Sequence, residues 1–376
     1  MHLARLRLRD FRNYVRLEAE FAPGFHVLAG DNAQGKTNLL EAIYLLSTLR
    51  SFRGVGSAQL VRIGQTGYFV GASVVGPGER EIRMYWSARE RRLTLDGQPV
   101  RRLTEYLGAL RTVIFCTEDL QLIKGPSRVR RRYLDLLLAQ TQADYLPCLQ
   151  RYARALRARN ALLKKGETES TLLESFTREL IRLGTWLMNQ RRNLEPVLQP
   201  LVQQACHRMA PGLEVPRLVY QPSVREDMAV ELAQSAPRER IYRSTLIGPH
   251  RDELGLFFDQ HKAADYGSEG QKRTLAIALK MAQADFLTRM HGTAPILLID
   301  DVMGELDARR RGGMIPLLEE VYHARSQVFM TCTEENWPRE LGRRAHRWLV
   351  SQGGLVPRTQ TGGGGLFSQG INDGAT

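Results

Sequence analysis

The stretch LAGDNAQGKTNLLEAIYLLS, residues 28–47, decides the fold. Its core, Gly30 to Thr37, fits the pattern G-x-x-x-x-G-K-[ST], whose backbone N–H groups surround the phosphates of a nucleotide. The apolar run FHVLAG before it predicts a buried strand, and the residues after Gly35 follow a helical period. A phosphate-binding loop requires this strand-to-helix context, so the stretch predicts a nucleotide-binding α/β domain.

The loop residues have separate roles. Gly30 and Gly35 permit backbone conformations in which N–H groups converge on an anion. Lys36 adds positive charge at the β- and γ-phosphates, and the Thr37 hydroxyl can bind Mg²⁺. The sequence therefore predicts an ATP site with magnesium, contacted by Gly30, Asp31, Asn32, Ala33, Gln34, Gly35, Lys36 and Thr37.

A second motif, PILLIDDVMGELD at residues 295–307, is an apolar strand that ends in two acids. The carboxyl ends of strands in open α/β sheets are where ligands bind, which favours a functional role over ordinary solvated acids. We expect Asp300 to bind the magnesium and Asp301 to be the catalytic base for the attacking water.

A third motif, YGSEGQKRT at residues 266–274, precedes the acidic strand by one amphipathic helix. By itself the S-x-G-Q pattern of Ser268, Gly270 and Gln271 also fits a helix N-cap. Its position before the acidic strand makes it a candidate part of the nucleotide site.

The charge balance favours a polyanionic partner. The 376 residues contain 53 Lys and Arg against 40 Asp and Glu, for a net charge of +13. A basic surface attracts nucleic acid through counterion release, although a solvated surface without a partner is the alternative. Basic residues concentrate between 128 and 165, and the predicted DNA contacts, to phosphates and without base specificity, are Arg128, Arg130, Arg131, Arg132, Arg151 and Arg154.

Cysteine use and hydropathy predict a cytoplasmic protein without a membrane partner. The four cysteines are dispersed and lack zinc-type spacing, as in a reducing compartment. No apolar run is long enough to span a bilayer, and MHLARLRLRDF has no apolar signal-peptide segment.

The predicted fold class is α/β: a mixed sheet with the phosphate loop, an antiparallel β-subdomain from residues 66–95 and a helical inserted domain. The predicted domains are a first head segment at 1–117, a helical insertion at 118–240 that forms a DNA or dimer arm, a second head segment at 241–352, and a Gly-rich disordered tail at 353–376.

Together the three motifs and the sequence Glu305-Leu306-Asp307 resemble the ABC-type ATPase heads. Within that superfamily, the sequence resembles the RecF family of SMC-like recombination mediators over roughly residues 1 to 335. Its motifs occur here in the order LRLRDFRNY, GDNAQGKTNLLEAIYLLS, SFRG, FCTEDLQLIKGPSRVRRRYLD, GPHRDEL, YGSEGQKRTLAIALKMAQADFL, LLIDDVMGELD and QVFMTCTE.

This resemblance implies an ATP-induced homodimer with slow, DNA-stimulated hydrolysis. It implies binding to double-stranded DNA and to junctions or gaps, partnership with RecR, and help in loading RecA during DNA repair, replication-gap rescue and the SOS response. The signature residues Ser268, Gly270 and Gln271 would close over ATP held by the other subunit, with Ser268 taking part in catalysis. Arg12 would lie near the nucleotide phosphates, or be a surface charge at a strand end, and Asp307 would also contact nucleotide.

Some positions depart from the ABC pattern. Asp301 stands where transporters carry Glu, and the shorter side chain fits slow hydrolysis. Thr331 and Thr333 stand near the place of the transporter switch His. The Q-loop residue stays unassigned, with Gln121 the nearest glutamine, and the resemblance gives no role for His250-Arg251-Asp252.

Two other functions share part of this pattern. The ATPase subunit of an ABC importer would use all three motifs, but Lys36 and Ser268 lie too far apart in sequence and the switch His is missing. A small-molecule kinase would use the phosphate loop without needing Ser268 to Gln271. DNA-stimulated turnover distinguishes the leading hypothesis from both.

Overall fold

The computed structural model describes residues 1–76, 78–167, 170–323, 326–332 and 345–358. Its strands, numbered along the chain, are β1 (His2–Phe11), β2 (Tyr14–Glu20), β3 (Gly24–Ala29), β4 (Gly67–Val75), β5 (Glu79–Ser87), β6 (Arg91–Leu95), β7 (Gln98–Pro99), β8 (Thr112–Phe115), β9 (Pro216–Gln221), β10 (Glu253–Phe258), β11 (His261–Lys262), β12 (Ile296–Asp300), β13 (Gln327–Cys332), β14 (Ala345–Ser351) and β15 (Gly354–Pro357).

The helices of the described residues are α1 (Lys36–Thr48), α2 (Leu103–Leu107), α3 (Gln121–Lys124), α4 (Ser127–Thr141), α5 (Tyr145–Lys165), α6 (Thr171–Met209), α7 (Met228–Tyr242), α8 (Ala263–Tyr266), α9 (Glu269–His291), α10 (Val302–Glu305) and α11 (Ala308–His323). Short 3₁₀ turns occupy Ser57–Leu60 and Thr117–Leu120.

The central sheet has the strand order β15-β14-β3-β13-β12-β8. Strands β14, β3, β13, β12 and β8 are parallel, and β15 is antiparallel to β14. The carboxyl ends of the parallel strands therefore meet at one edge. The phosphate loop lies at that edge, together with Asp300 at the end of β12 and Asp301 just after it.

Each face of this sheet is covered by a separate apolar core. On one face, Val27, Ile299 and Met330 pack with the helices α4, α5, α6 and α9. On the other face, Leu28, Leu298 and Phe329 pack with α1 and with an antiparallel sheet of order β2-β1-β4-β5-β6-β7. This alternation follows from the pleat of the strands, and it confirms the predicted fold class.

Two details of the domain prediction need correction. The segment 118–240 is not wholly helical, because β9 pairs with β10 across the predicted boundary at 240/241. The residues of β9 alternate between buried and exposed, as strand residues do, but β9 is short and lies between long helical patterns. The segment 353–376 does not begin as a tail, since β15 continues the central sheet to Pro357. Residues 359–376 lie outside the described part of the chain.

Candidate nucleotide-binding site

The phosphate loop connects β3 to α1, as predicted. Gly30, Ala33 and Gly35 have φ values of 148°, 63° and 117°. A Cβ at Gly30 would lie 2.3 Å from the carbonyl oxygen of Val350, so the approach of β14 requires glycine there. A Cβ at Gly35 would lie 2.7 Å from Asn13 Nδ2. Both glycines are thus fixed by their surroundings as well as by the loop conformation.

The Lys36 ammonium lies against its own loop. Its Nζ donates to the carbonyl oxygens of Gly30 at 2.5 Å and Asp31 at 2.9 Å. The side chain is largely buried, which positions the charge over the hollow of the loop. A phosphate entering the loop would meet this ammonium together with the N–H groups at the start of α1.

Two hydroxyl side chains converge on the carboxylate of Asp300. Thr37 Oγ1 and Thr331 Oγ1 each donate to its Oδ1 at 2.9 Å, and Thr331 Oγ1 accepts from the Asp301 N–H at 3.0 Å. Burial raises the pKa of Asp300, the two hydroxyl hydrogen bonds lower it, and the charge of Glu118 raises it. A cation at this carboxylate would relieve the cost of its burial.

Thr37 and Asp300 suit Mg²⁺. A hydroxyl and a carboxylate oxygen are hard ligands, and Mg²⁺ in nucleotide sites takes few protein ligands besides water and phosphate oxygens. The described residues contain no cluster of three or more His, Cys, Asp or Glu side chains arranged to hold a metal by themselves. The pair therefore fits a magnesium bound together with a nucleotide.

Asp301 has a different environment from its neighbour. It is exposed, has φ 57° and precedes the short helix α10. A non-glycine residue in the left-handed region is uncommon and turns the chain sharply away from β12. Asp301 lines the same cavity as Lys36 and Thr37, where its carboxylate can reach a water molecule.

This cavity has a volume of about 440 Å³ and is lined by Asp31, Asn32, Ala33, Gly35, Lys36, Thr37, Asn38, Arg53, Asp301 and Thr331. Most of these residues were predicted from the motifs. Arg53 and Asn38 were not, although Arg53 lies in the quoted SFRG. Arg53 Nη1 approaches Asn38 Oδ1 at 3.4 Å and is exposed, so the guanidinium can add charge beside the phosphates.

Two further supports of the loop were missed. Asn13 Nδ2 donates to the Gln34 carbonyl at 2.8 Å, and Asn13 Oδ1 accepts from Asn38 at 2.8 Å. The backbone N–H of Gln352, in the β14–β15 turn, donates to Gln34 Oε1 at 2.7 Å. The β14–β15 hairpin, which turns at Gln352 and Gly353, therefore holds the loop.

Arg12 is directed at a protein carboxylate. Its Nε and Nη2 donate to Glu41 at 2.8 and 3.0 Å, and Nη1 donates to the Gln59 carbonyl at 3.0 Å. Glu41 is fully buried in α1. In this structure Arg12 anchors the helix that follows the phosphate loop, and it does not line the cavity.

The signature residues are folded as a helix cap. Ser268 Oγ accepts from the Gln271 N–H at 3.2 Å, while Gln271 Oε1 accepts from the Ser268 N–H at 2.7 Å. Ser268 is exposed, and neither it nor Gly270 or Gln271 lines the cavity of its own chain. The alternative that Ser268 caps a helix thus fits this structure, and the cap leaves the Ser268 side chain at the surface.

Asp307 is connected to the signature through Arg310. Asp307 Oδ1 accepts from the Arg310 N–H at 2.8 Å, and the two side chains form an ion pair. Arg310 Nε donates to Thr274 Oγ1 at 2.9 Å. A Cβ at Gly270 would lie 2.6 Å from Arg310 Nη2, so glycine leaves room for this side chain.

Gln121 and the motif at residues 250–252 had no role assigned from the sequence. Gln121 is exposed, and its Oε1 lies beside Gly125 rather than beside Asp300. Asp252 is buried, where its Oδ2 accepts from Arg191 Nη1 at 3.0 Å and its Oδ1 from the Ser223 N–H at 2.9 Å. The motif at 250–252 thus ties α6 to the chain before β10. Thr333 lies outside the described residues.

The predicted DNA contacts divide into two groups. Arg128, Arg151 and Arg154 are exposed, although Arg151 pairs with Glu179 at 2.7 Å. Arg132 is exposed at the edge of a cavity.

The other two arginines have internal partners. Arg130 makes two 2.7 Å hydrogen bonds to the Glu253 carboxylate, and Arg131 donates to the Asp252 carbonyl at 2.7 Å. The structure therefore gives Arg130 and Arg131 a role in joining α4 to β10.

Comparison with known proteins agrees with this geometry. The family model described as RecF/RecN/SMC N terminal domain matches residues 2–344. The DNA replication and repair protein RecF of Symbiobacterium thermophilum is 37% identical over 95% of this chain and 98% of its own length. The same-named protein of Halalkalibacterium halodurans is 35% identical over 94% and 99%.

Solved structures give the same result. The recombination mediator protein RecF-ATP of the RecFOR pathway has a TM-score of 0.87 and 30% identity, over 95% of this chain and 98% of that chain. The Smc head domain of Pyrococcus furiosus, at 16% identity and a TM-score of 0.56 over 95% and 96%, shares the fold. None of the helices in the described part of the chain is both long and apolar enough to cross a membrane. The chain belongs to the RecF family and has the fold of an SMC-like ATPase head.

Proposed function

We propose that this chain is an ATP-dependent, DNA-binding recombination mediator that acts as an ATP-induced dimer in the cytoplasm. The proposal rests on one observation: the two parts of the expected nucleotide site lie apart on this chain. The phosphate cavity holds Lys36, Thr37 and Asp301, whereas Ser268, Gly270 and Gln271 lie elsewhere on the same chain. A second copy can supply them, and family membership argues against the importer and kinase alternatives.

Binding would use groups that already surround the cavity. The Lys36 ammonium would exchange its bonds to the loop carbonyls for bonds to phosphate oxygens, which are stronger because both partners are charged. Thr37 and Asp300 would hold Mg²⁺. When bound, this ion would supply positive charge that offsets the negative charge of the phosphates.

Hydrolysis would use Asp301 as the group that orients a water and accepts its proton. The Asp301 backbone is fixed through Thr331, but its side chain is one methylene shorter than glutamate. We therefore expect slow turnover, suited to a switch. Closure by a second subunit would add the Ser268 hydroxyl and the N-terminus of α9 near the γ-phosphate.

The DNA surface we propose consists of the exposed residues Arg128, Arg151 and Arg154, extended along α5 by Arg157, Lys164 and Lys165. Arg151, Arg154 and Arg157 are spaced by three and Lys164 follows Arg157 by seven, so these side chains lie along one broad face of α5. Contacts from such a face reach phosphates, which suits duplexes, junctions and gaps without sequence preference. RecR, and through it RecA, would be the protein partners.

Light scattering and phosphate release on the purified chain test this function. We expect the mass to double with ATP and Mg²⁺ but not with ADP, and gapped duplex DNA to raise the turnover rate. A chain that stays monomeric with ATP and hydrolyses it at the same rate without DNA would contradict the proposal.

A further inference from the structure

A second cavity lies away from the phosphate loop, between α1, the end of β8, α4 and α9. Its volume is about 250 Å³. The walls are largely apolar, with Tyr44 from α1, Ile114 from β8, and Ala139 from α4. A cavity with apolar walls and a few polar groups is the usual form of a small-molecule site.

One polar side chain in this cavity is buried with an unused hydrogen-bonding position. Gln283 of α9 is 1% exposed, and its Oε1 accepts no hydrogen bond from any residue that the structure describes. Leaving such a group unpaired costs free energy, so it marks a place where a ligand would gain a hydrogen bond. Because a glutamine amide can rotate by 180°, it can either accept or donate.

Two arginines from different elements stand at the edge of the cavity. Arg50 follows α1 and Arg132 belongs to α4, and both are exposed. Neither guanidinium has a hydrogen bond or ion pair with a residue in the described ranges. Both guanidinium groups line the same cavity, where burial and then the charge of Arg50 lower the pKa of Arg132.

The acids that line the cavity do not balance this charge. Asp119 pairs with Lys280 at 3.2 Å, and Asp135 pairs with Arg191 at 2.7 Å. Glu118 is then the lining carboxylate that forms no ion pair among the described residues, and two guanidinium groups line the same cavity. An anion between Arg50 and Arg132 would relieve their repulsion.

We propose that this cavity is a binding site for a small amphipathic organic anion. Its flat apolar part would lie against Tyr44, Ile114 and Ala139, and its anionic group would bind Arg50 and Arg132. A polar atom of the ligand would bond to Gln283. Residues of α1, which begins at the phosphate loop, and of α9, which Ser268 caps, both line the cavity.

Fluorescence titration of the full chain with 8-anilinonaphthalene-1-sulfonate tests the site. This probe has a flat aromatic body, a sulfonate and an N–H group. N-phenyl-1-naphthylamine is the matched probe, with nearly the same body and no charge. We expect saturable binding of one sulfonate probe per chain, and binding of the uncharged probe that is at least ten-fold weaker.

Two variants locate the binding. Ala139→Trp fills the cavity and should abolish binding of both probes. Arg132→Gln should lower the affinity for the sulfonate probe roughly ten- to hundred-fold, as expected for loss of one charge-assisted contact. The affinity for the uncharged probe should not change. Arg128→Gln, on the same helix but outside the cavity, is the control and should bind both probes normally.

Thermal unfolding first verifies that each variant is folded, since the sulfonate probe also binds partly unfolded chains. If Ala139→Trp does not fold, the proposal is tested by the affinity of Arg132→Gln for the sulfonate probe and by the difference in affinity between the two probes. Unchanged sulfonate-probe affinity in Arg132→Gln, or equal affinity of the two probes for the unmodified chain, would overturn the proposal.

Discussion

The hydroxyl of Thr37 donates a 2.9 Å hydrogen bond to the carboxylate of Asp300, between residues separated by 263 positions in sequence. This contact joins the helix after the phosphate loop to the end of the acidic strand. It brings the two predicted magnesium ligands together and leaves Asp301 at the open side of the cavity. The two acids of one dipeptide therefore have different environments, and we expect them to have different functions.

Asp300→Asn and Asp301→Asn should separate those functions. Asp301→Asn should bind ATP normally and stop hydrolysis, because an amide cannot accept the proton of the water. Asp300→Asn should require more magnesium for ATP binding, because a carboxylate ligand is lost. Equilibrium binding over a magnesium series and phosphate release measure the two effects. Normal turnover by Asp301→Asn would show that another group is the base.

Lys36→Ala should reduce ATP affinity by about one to two decades, since a charge-assisted contact is worth roughly 1.5–3 kcal/mol. The same change frees the carbonyl oxygens of Gly30 and Asp31, so the loop should also lose order. Isothermal titration with ATP measures the affinity. Lys262→Ala, an exposed lysine in β11, is the control and should bind normally. Equal ATP affinity in both variants would place the site elsewhere.

Ser268→Arg should bind ATP but fail to dimerise and to hydrolyse it, because a long side chain would occupy the space expected for the γ-phosphate. Ser268→Asp is a sharper variant. Aspartate caps a helix as well as serine, so stability should be kept, while its charge should repel the phosphate. Light scattering with ATP decides. If Ser268→Asp doubles in mass like the unmodified chain, Ser268 is only a helix cap.

Charge reversal at Arg128, Arg151 and Arg154 should weaken DNA binding and flatten its dependence on salt. Each lost phosphate contact should reduce the slope of log affinity against log salt by about 0.9. ATP binding should be unchanged. Fluorescence anisotropy across a salt series measures this slope.

Arg130→Gln is the internal control for that experiment. It removes the paired hydrogen bonds to Glu253, so it should lower the free energy of unfolding by on the order of 2–3 kcal/mol and leave the salt slope unchanged. A normal slope in the triple variant, or a reduced slope in Arg130→Gln, would show that DNA binds to a different surface.

Acid should destabilise the fold through buried histidines. Burial lowers the pKa of His26 to about 4, and Trp348 donates to its Nδ1 at 3.0 Å, so the folded state favours the neutral ring. The unfolded chain binds the proton below about pH 6.5, and stability should therefore fall between about pH 6.5 and 4. The loss should be about 2 kcal/mol at pH 5 from this residue.

Urea denaturation at pH 7.5 and 5.0 measures that loss. His26→Gln keeps an acceptor for Trp348 but cannot be protonated, so its stability should change less between the two pH values. His250 is a second such group, since burial also lowers its pKa to about 4. An equal loss in His26→Gln and the unmodified chain would show that His26 does not contribute.

Local sequence determined much of this protein. The turn chemistry of Gly30 to Thr37, the apolar runs of β3, β12 and β13, and the acids at the end of β12 are encoded within short stretches. Those stretches predicted the fold class and most of the residues of the phosphate cavity. They also predicted the Ser268 cap, because capping depends on residues three positions apart.

Contacts between distant segments were decided only by the tertiary structure. Composition could not distinguish an arginine that faces solvent from Arg130, whose partner Glu253 lies 123 positions away. Nor could it show that the β14–β15 turn at Gln352 and Gly353 bonds to Gln34, or that Arg53 reaches the cavity. A charged or glycine-rich segment has no periodic signal of its own, so its role depends on which distant backbone or carboxylate the folded chain brings beside it.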